Sequence, residues 1–157
     1  MPLKLTWPQA LAWRMRRQLL EPVGDVSATE VVRRLCGVQA QVASSAELAV
    51  RVRQRKSQAG EVGKALTDGR LVKTWAMRGT LHLLTPDDAG NFLSLMASGR
   101  SWELPSWQRY FGLTPKHWEL FRPAVREALD GNVLTREQLA AAVVATPGLE
   151  HVGEELA

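Results

Sequence analysis

Apolar residues recur along most of this chain with a helical period, and the polar residues that open each run mark where helices begin. Thr6-Trp7-Pro8-Gln9 has the form of a capping box with proline in the first turn. Leu11, Met15 and Leu19 then repeat every four residues and predict an apolar stripe, with Arg14, Arg16 and Arg17 largely off it. Ser27-Ala28-Thr29-Glu30 is a second capping box, whose helix is expected to bury Val31, Val32, Leu35 and Cys36 and to expose Arg33 and Arg34. Ser44-Ser45-Ala46-Glu47 predicts a third helix running to about Lys56, and residues 60–68 a short fourth that stops at Gly69.

The period then changes. Residues 72–77 and 80–84 are rich in β-branched and aromatic side chains around Arg78-Gly79, which predicts a β-hairpin. Thr85-Pro86-Asp87-Asp88 caps a further helix to about Ser98. Residues 99–113 read as irregular. Thr114-Pro115 opens a long helix to about Leu129, and Thr135-Arg136-Glu137-Gln138 caps another through Ala145. Helices followed by a hairpin make the winged-helix order, in which the hairpin is the wing. The expected fold is therefore mainly α with a β-hairpin wing, a winged helix-turn-helix in tandem modules. Residues 1–98 form the first module with a preceding basic helix, 99–113 a linker, and 114–157 the start of a second module. That second module has no hairpin before the sequence stops, so the chain reads as a fragment of a longer protein. A complete small helical protein with one hairpin is the alternative.

Composition narrows the class. Of 157 residues, 45% are hydrophobic and 23% charged, as in ordinary soluble domains. No run approaches the ~18 apolar residues of a membrane span, and the N-terminus lacks the pattern of a signal peptide. A single cysteine, Cys36, rules out an internal disulfide and a cysteine-based zinc site, and makes the reducing cytoplasm the default. Residues 1–56 hold ten Lys/Arg against four Asp/Glu, a net charge of +6 within a chain of net +4. A basic front of this kind suits a polyanion partner, and equally an arginine-rich solvated surface.

Most catalytic signatures are missing: no nucleophile elbow, no phosphate-binding glycine loop, no zinc-protease helix. His82, His117 and His151 are too scattered to argue for a metal. Cys36 reads as a small core residue. Between the end of the second helix and the cap of the third lies Gly37-Val38-Gln39-Ala40-Gln41-Val42-Ala43-Ser44-Ser45. In an extended segment residues i and i+2 face the same way, so Gln39 and Gln41 would present two amides to one point while Ala40 faces inward. Such a pair can hold a water or grip sugar and base edges. Taken alone, the triplet is also compatible with a polar loop.

Two stretches, Val31-Val32-Arg33-Arg34-Leu35-Cys36-Gly37-Val38-Gln39-Ala40-Gln41 and Thr74-Trp75-Ala76-Met77-Arg78-Gly79-Thr80-Leu81-His82, resemble the AlkZ/YcaQ-type winged-helix DNA glycosylases. The resemblance covers roughly residues 3–145. It implies tandem winged-helix motifs around a basic channel for double-stranded DNA, and a Gln-x-Gln or Gln-x-Asp catalytic centre, here Gln39 and Gln41. It also implies excision of alkylated bases and unhooking of interstrand crosslinks, in some members as self-resistance to DNA-alkylating natural products. Members are more than twice this length, so the later modules would be missing here, and exposed apolar area on a truncated chain favours self-association. The implied chemistry needs no metal, cofactor or activated nucleophile. An N7-alkylated guanine is already cationic, so the enzyme must chiefly position water and stabilise charge developing on the sugar.

The basic front supplies Arg14, Arg16, Arg17, Arg33, Arg34 and Arg51 as candidate DNA contacts. Arg78 at the hairpin turn, flanked by Lys73 and Thr80, is placed where a wing meets phosphates or a minor groove. His82 is a further candidate, with a satisfied structural histidine as the alternative. Trp75 and Met77 read as core rather than DNA-packing residues. The helix before the wing, Glu61-Val62-Gly63-Lys64-Ala65-Leu66-Thr67-Asp68, offers little Arg, Asn or Gln for base edges, which argues against a sequence-specific regulator. A non-catalytic winged-helix DNA-binding protein or regulator is the alternative function.

Overall fold

In a computed structural model of the protein, residues 4–150 are described. His151 and the end of the expected second module lie outside them. The chain divides into two compact units at Ser98–Gly99.

The first unit runs α1 (Trp7–Arg17), α2 (Ala28–Arg34), β1 (Val38–Gln39), α3 (Ala43–Arg51), α4 (Glu61–Thr67), β2 (Val72–Ala76), β3 (Thr80–Leu84) and α5 (Pro86–Ser98). The capping boxes at Thr6–Gln9 and Ser27–Glu30 both form, each satisfying helix-end N–H groups reciprocally. Hydrogen bonds from Ser27 hold the Glu30 carboxyl below its usual pKa. The three strands form an antiparallel sheet in the order β1-β3-β2. This succession of helices and strands is that of a winged helix, with the β2–β3 hairpin as the wing.

Two apolar layers hold the unit together. On one face of the sheet, Val38 and Leu83 pack with Ala28, Val31 and Val32 of α2, Ala46 and Val50 of α3, and Val62 and Ala65 of α4. On the other, Ala76 and Leu84 pack with Ala89, Val72 and Phe92. The period-2 alternation of the strands assigns these faces. Helix α1 contributes no buried residue, so the stripe of Leu11, Met15 and Leu19 is not a core face; only Leu19, beyond the helix end, packs partly against the core.

Several sequence expectations are corrected. The third helix ends at Arg51 and not near Lys56, because the next residues bond elsewhere: Gly24 N–H donates to Arg53 O (2.9 Å) and Arg55 N–H to Gly24 O (2.8 Å). Its N-cap is Val42, without a side-chain cap, so the Ser44-Ser45 signature marks the first turn and not the start. Cys36 is exposed, because α2 stops at Arg34 and Cys36 already has a left-handed backbone (φ 57°). A long-range clasp had no local signature at all. Glu61 accepts from Ala28 N–H (2.8 Å) and from the buried Gln54 amide (2.9 Å), which also donates to Val26 O (3.0 Å). Glu61→Ala would leave the Ala28 N–H without this partner and Gln54 with one partner fewer. It is expected to lower stability by about 1–3 kcal/mol, read as a lower urea midpoint at unchanged m-value.

The second unit holds a 3-10 turn (Ser101–Glu103), α6 (Pro105–Phe111), α7 (Pro115–Ala128) and α8 (Arg136–Val144). Residues 99–113 are thus not an irregular linker. Trp102 and Trp107 pack at a tilt against Trp118 (ring centroids 6.3 and 5.8 Å apart) and draw this stretch into the unit's core, which centres on Leu113, Ala124, Val143 and Leu149. Leu104 at the N-cap makes no side-chain cap, so only Pro105 announced the helix. Trp118 and Leu139 pack into this core, whereas Leu120 and Leu129 stay exposed.

Candidate active site

The Gln39–Gln41 segment is positioned by what precedes and pairs with it. After α2, Cys36 and Gly37 both take positive φ and turn the chain into β1. Gly37 has φ +121°, and a Cβ there would lie 2.8 Å from Leu84 Cδ2, so glycine is required on both grounds. In β1, Val38 pairs with Leu83 and Gln39 with His82. Val38 and Ala40 are buried; Gln39 and Gln41 are exposed. Ala40 N–H donates to Leu81 O (2.7 Å), but Leu81 N–H donates to the side chain of Gln41, at Oε1 (2.9 Å). Gln41 thus ends the ladder with its own amide. A backbone N–H can only donate, so the Gln41 oxygen is committed inward and its NH2 is free to donate outward. The Gln39 amide makes no hydrogen bond among the described residues.

The central strand β3 sets His82 opposite Gln39 of the edge strand β1 and Leu81 against the Gln41 side chain, with Thr80 next to Leu81 in the strand. Arg78 lies in the exposed three-residue turn two positions before Thr80. Lys73 is exposed on the outer strand β2, opposite Leu83. His82 is only 7% exposed and its Nδ1 lies 2.8 Å from Thr80 O, so it is not the open surface contact expected of it; the central strand encloses it. Trp75 and Met77 are corrected the other way. They are 52% and 44% exposed, because both lie near the hairpin tip, beyond the helical layer.

The arginines form a separate cluster. Arg14, Arg16 and Arg17 fill the last turn of α1. Arg34 Nε donates to Arg17 O (3.2 Å), which ties that turn to the end of α2. Arg33 lies 4.0 Å from Asp87 across an exposed gap, a weak pairing that leaves it available. Arg51 is not brought to the glutamines by this arrangement. It ends α3, roughly 12 Å along the helix from Ala43, and donates to Ser57. Among the described residues no three His, Cys, Asp or Glu side chains converge as metal ligands, and no helix is long and apolar enough to cross a membrane.

A family model described as DNA glycosylase AlkZ-like matches residues 32–155. The chain belongs to the AlkZ-like DNA glycosylase family. An interstrand DNA cross-link repair glycosylase of Streptomyces sahachiroi is 50% identical over 154 residues, which are 98% of this chain and 42% of that protein. The solved structure of Streptomyces sahachiroi DNA glycosylase AlkZ superposes with a TM-score of 0.91 at 50% identity, again over 98% of this chain and 42% of the other. The AlkZ-like chain described here therefore spans about two fifths of the length of these relatives, and shares with the solved one a mainly helical, winged-helix fold.

Proposed function

We propose that the full-length protein is a DNA repair glycosylase that hydrolyses the N-glycosidic bond of alkylated bases or unhooks interstrand crosslinks, with Gln39 and Gln41 as its hydrolytic centre. The observation that carries this reading is the exposed Gln-x-Gln edge within a chain 50% identical to a cross-link repair glycosylase across nearly its whole length. A water held by the two amides adds its oxygen to C1′ of the sugar. The C1′–N bond breaks and its electron pair leaves with the base, neutralising the cation that alkylation had placed there. The water's proton passes to solvent. The amides serve by orienting the water and by facing the positive charge that grows on the sugar.

Double-stranded DNA is the proposed partner, in the cytoplasm with the nucleoid. Arg14, Arg16, Arg17, Arg33, Arg34, Arg51, Lys73, Arg78 and Thr80 contact its backbone, and residues 114–157 begin a second winged-helix module. Helix α4 supports backbone binding over sequence reading. Its Val62 and Ala65 are buried, Glu61 is committed to the clasp, and Lys64 pairs with Asp68. Duplex affinity is therefore expected to fall steeply with salt, with a log–log slope of about −0.9 per neutralised phosphate. Fluorescence titrations over a salt series measure it; a flat response, or strong preference for one operator, contradicts it.

The activity itself is tested by incubating the full-length gene product with N7-methylguanine duplex and with interstrand-crosslinked duplex on denaturing gels. Alkali-labile abasic sites or separated strands are expected. Tight binding with neither product would favour a non-catalytic winged-helix protein. Light scattering of the 157-residue chain tests self-association through Leu120, Leu129 and the other exposed apolar residues of the second unit.

A further inference from the structure

His82 is the one buried histidine of the first unit, and it stands directly across from Gln39 on the central strand. Ala40 N–H bonds to Leu81 O, which makes Ala40–Leu81 a hydrogen-bonded position of the antiparallel ladder. The neighbouring Gln39–His82 pair is therefore of the non-hydrogen-bonded kind, in which opposite side chains approach most closely. Thr80 O, 2.8 Å from His82 Nδ1, can only accept, so Nδ1 carries the proton. In the neutral ring this leaves Nε2 a bare acceptor. Among the described residues no hydrogen bond uses it, just as none uses the Gln39 amide.

We infer that His82 is a positioning residue for Gln39, its Nε2 accepting a hydrogen bond from the Gln39 amide nitrogen so that the Gln39 carbonyl oxygen faces the reacting water. This rests on the glycosylase reading above. Its physical content is an assignment of polarity. Leu81 N–H fixes the oxygen of Gln41 inward and so turns an N–H outward. His82 does the opposite at Gln39 and turns an oxygen outward. One water then donates a hydrogen bond to Gln39 and accepts one from Gln41, and keeps a lone pair for C1′. With the Gln39 amide reversed, two donors would face the water, and no acceptor would take its hydrogen bond. The main-chain carbonyl of Thr80 supports the arrangement by holding the His82 ring.

Two substitutions separate this role from a structural one. The Asn amide nitrogen falls near the imidazole Nδ1, and the Gln amide reaches the position of Nε2. His82→Asn keeps the bond to Thr80 O and loses the acceptor; His82→Gln restores an acceptor for Gln39. In full-length protein at pH 8, His82→Asn should bind N7-methylguanine duplex with wild-type affinity and release base about 100-fold more slowly, the scale of a misplaced reacting group. His82→Gln should recover most of that rate. Wild-type excision by His82→Asn overturns the inference. So does equal slowness of both variants, or a loss of affinity in place of rate. A second measurement does not depend on activity. In the protein bound to unmodified duplex, nitrogen-resolved NMR of the imidazole should show the His82 Nε2 resonance shift when Gln39 is replaced by Leu; no shift overturns the contact. An inactive wild type sinks the glycosylase reading instead, and the resonance still decides the contact.

Discussion

Gln39→Ala and Gln41→Ala, made singly in the full-length gene product, are each expected to slow single-turnover base release by about 100- to 1000-fold, the usual cost of one preorganised electrostatic contact. Duplex affinity should stay nearly unchanged, because the amides act on a water and on a charge that exists only as the glycosidic bond breaks. The two variants should differ in stability. Gln39 is exposed and has the His82 ring as its one inferred partner, so its loss should move the melting temperature little. Gln41 accepts from Leu81 N–H at the end of the sheet, so its loss should cost about 0.5–1.5 kcal/mol. Excision at the wild-type rate by both variants would remove the proposed mechanism.

The largest stability effect is expected at Leu83→Ala. Leu83 is 1% exposed on the central strand, opposite Val38, and packs among residues of α2, α3 and α4. Truncation removes buried methyl groups and leaves a cavity that a sheet pinned on both sides cannot close. The loss should be about 2–5 kcal/mol, measured by urea unfolding of the purified chain. A loss below about 1 kcal/mol would mean that the helical layer does not rest on the sheet as described. Because Leu83 adjoins His82, the variant should also loosen the Gln39 edge.

What the sequence made legible was local. The capping boxes at Thr6 and Ser27 and the Thr135 cap are each written within four residues, the hairpin around Arg78-Gly79 within the contiguous stretch 72–84, and the structure places elements at all of them. What was not legible depended on distant partners. β1 has two residues, too few for any period, and exists because β3 lies beside it forty residues later. The early end of α3 is set by Gly24, and the helix at Pro105–Phe111 by tryptophans on either side of it. The Gln-x-Gln triplet was visible as a pattern. Its polarity was not, because that follows from Leu81 N–H and from the ring opposite Gln39.

One measurement bears most directly on the proposed activity. Full-length protein is incubated with duplex carrying a single N7-methylguanine, alongside the same duplex unmodified, and free base is quantified by mass spectrometry against an enzyme-free control. Release of N7-methylguanine well above the spontaneous rate, with no guanine released from the unmodified duplex and the excess lost in Gln39→Ala, is the expected result. Release at the spontaneous rate, by a protein that binds the duplex tightly, would contradict it.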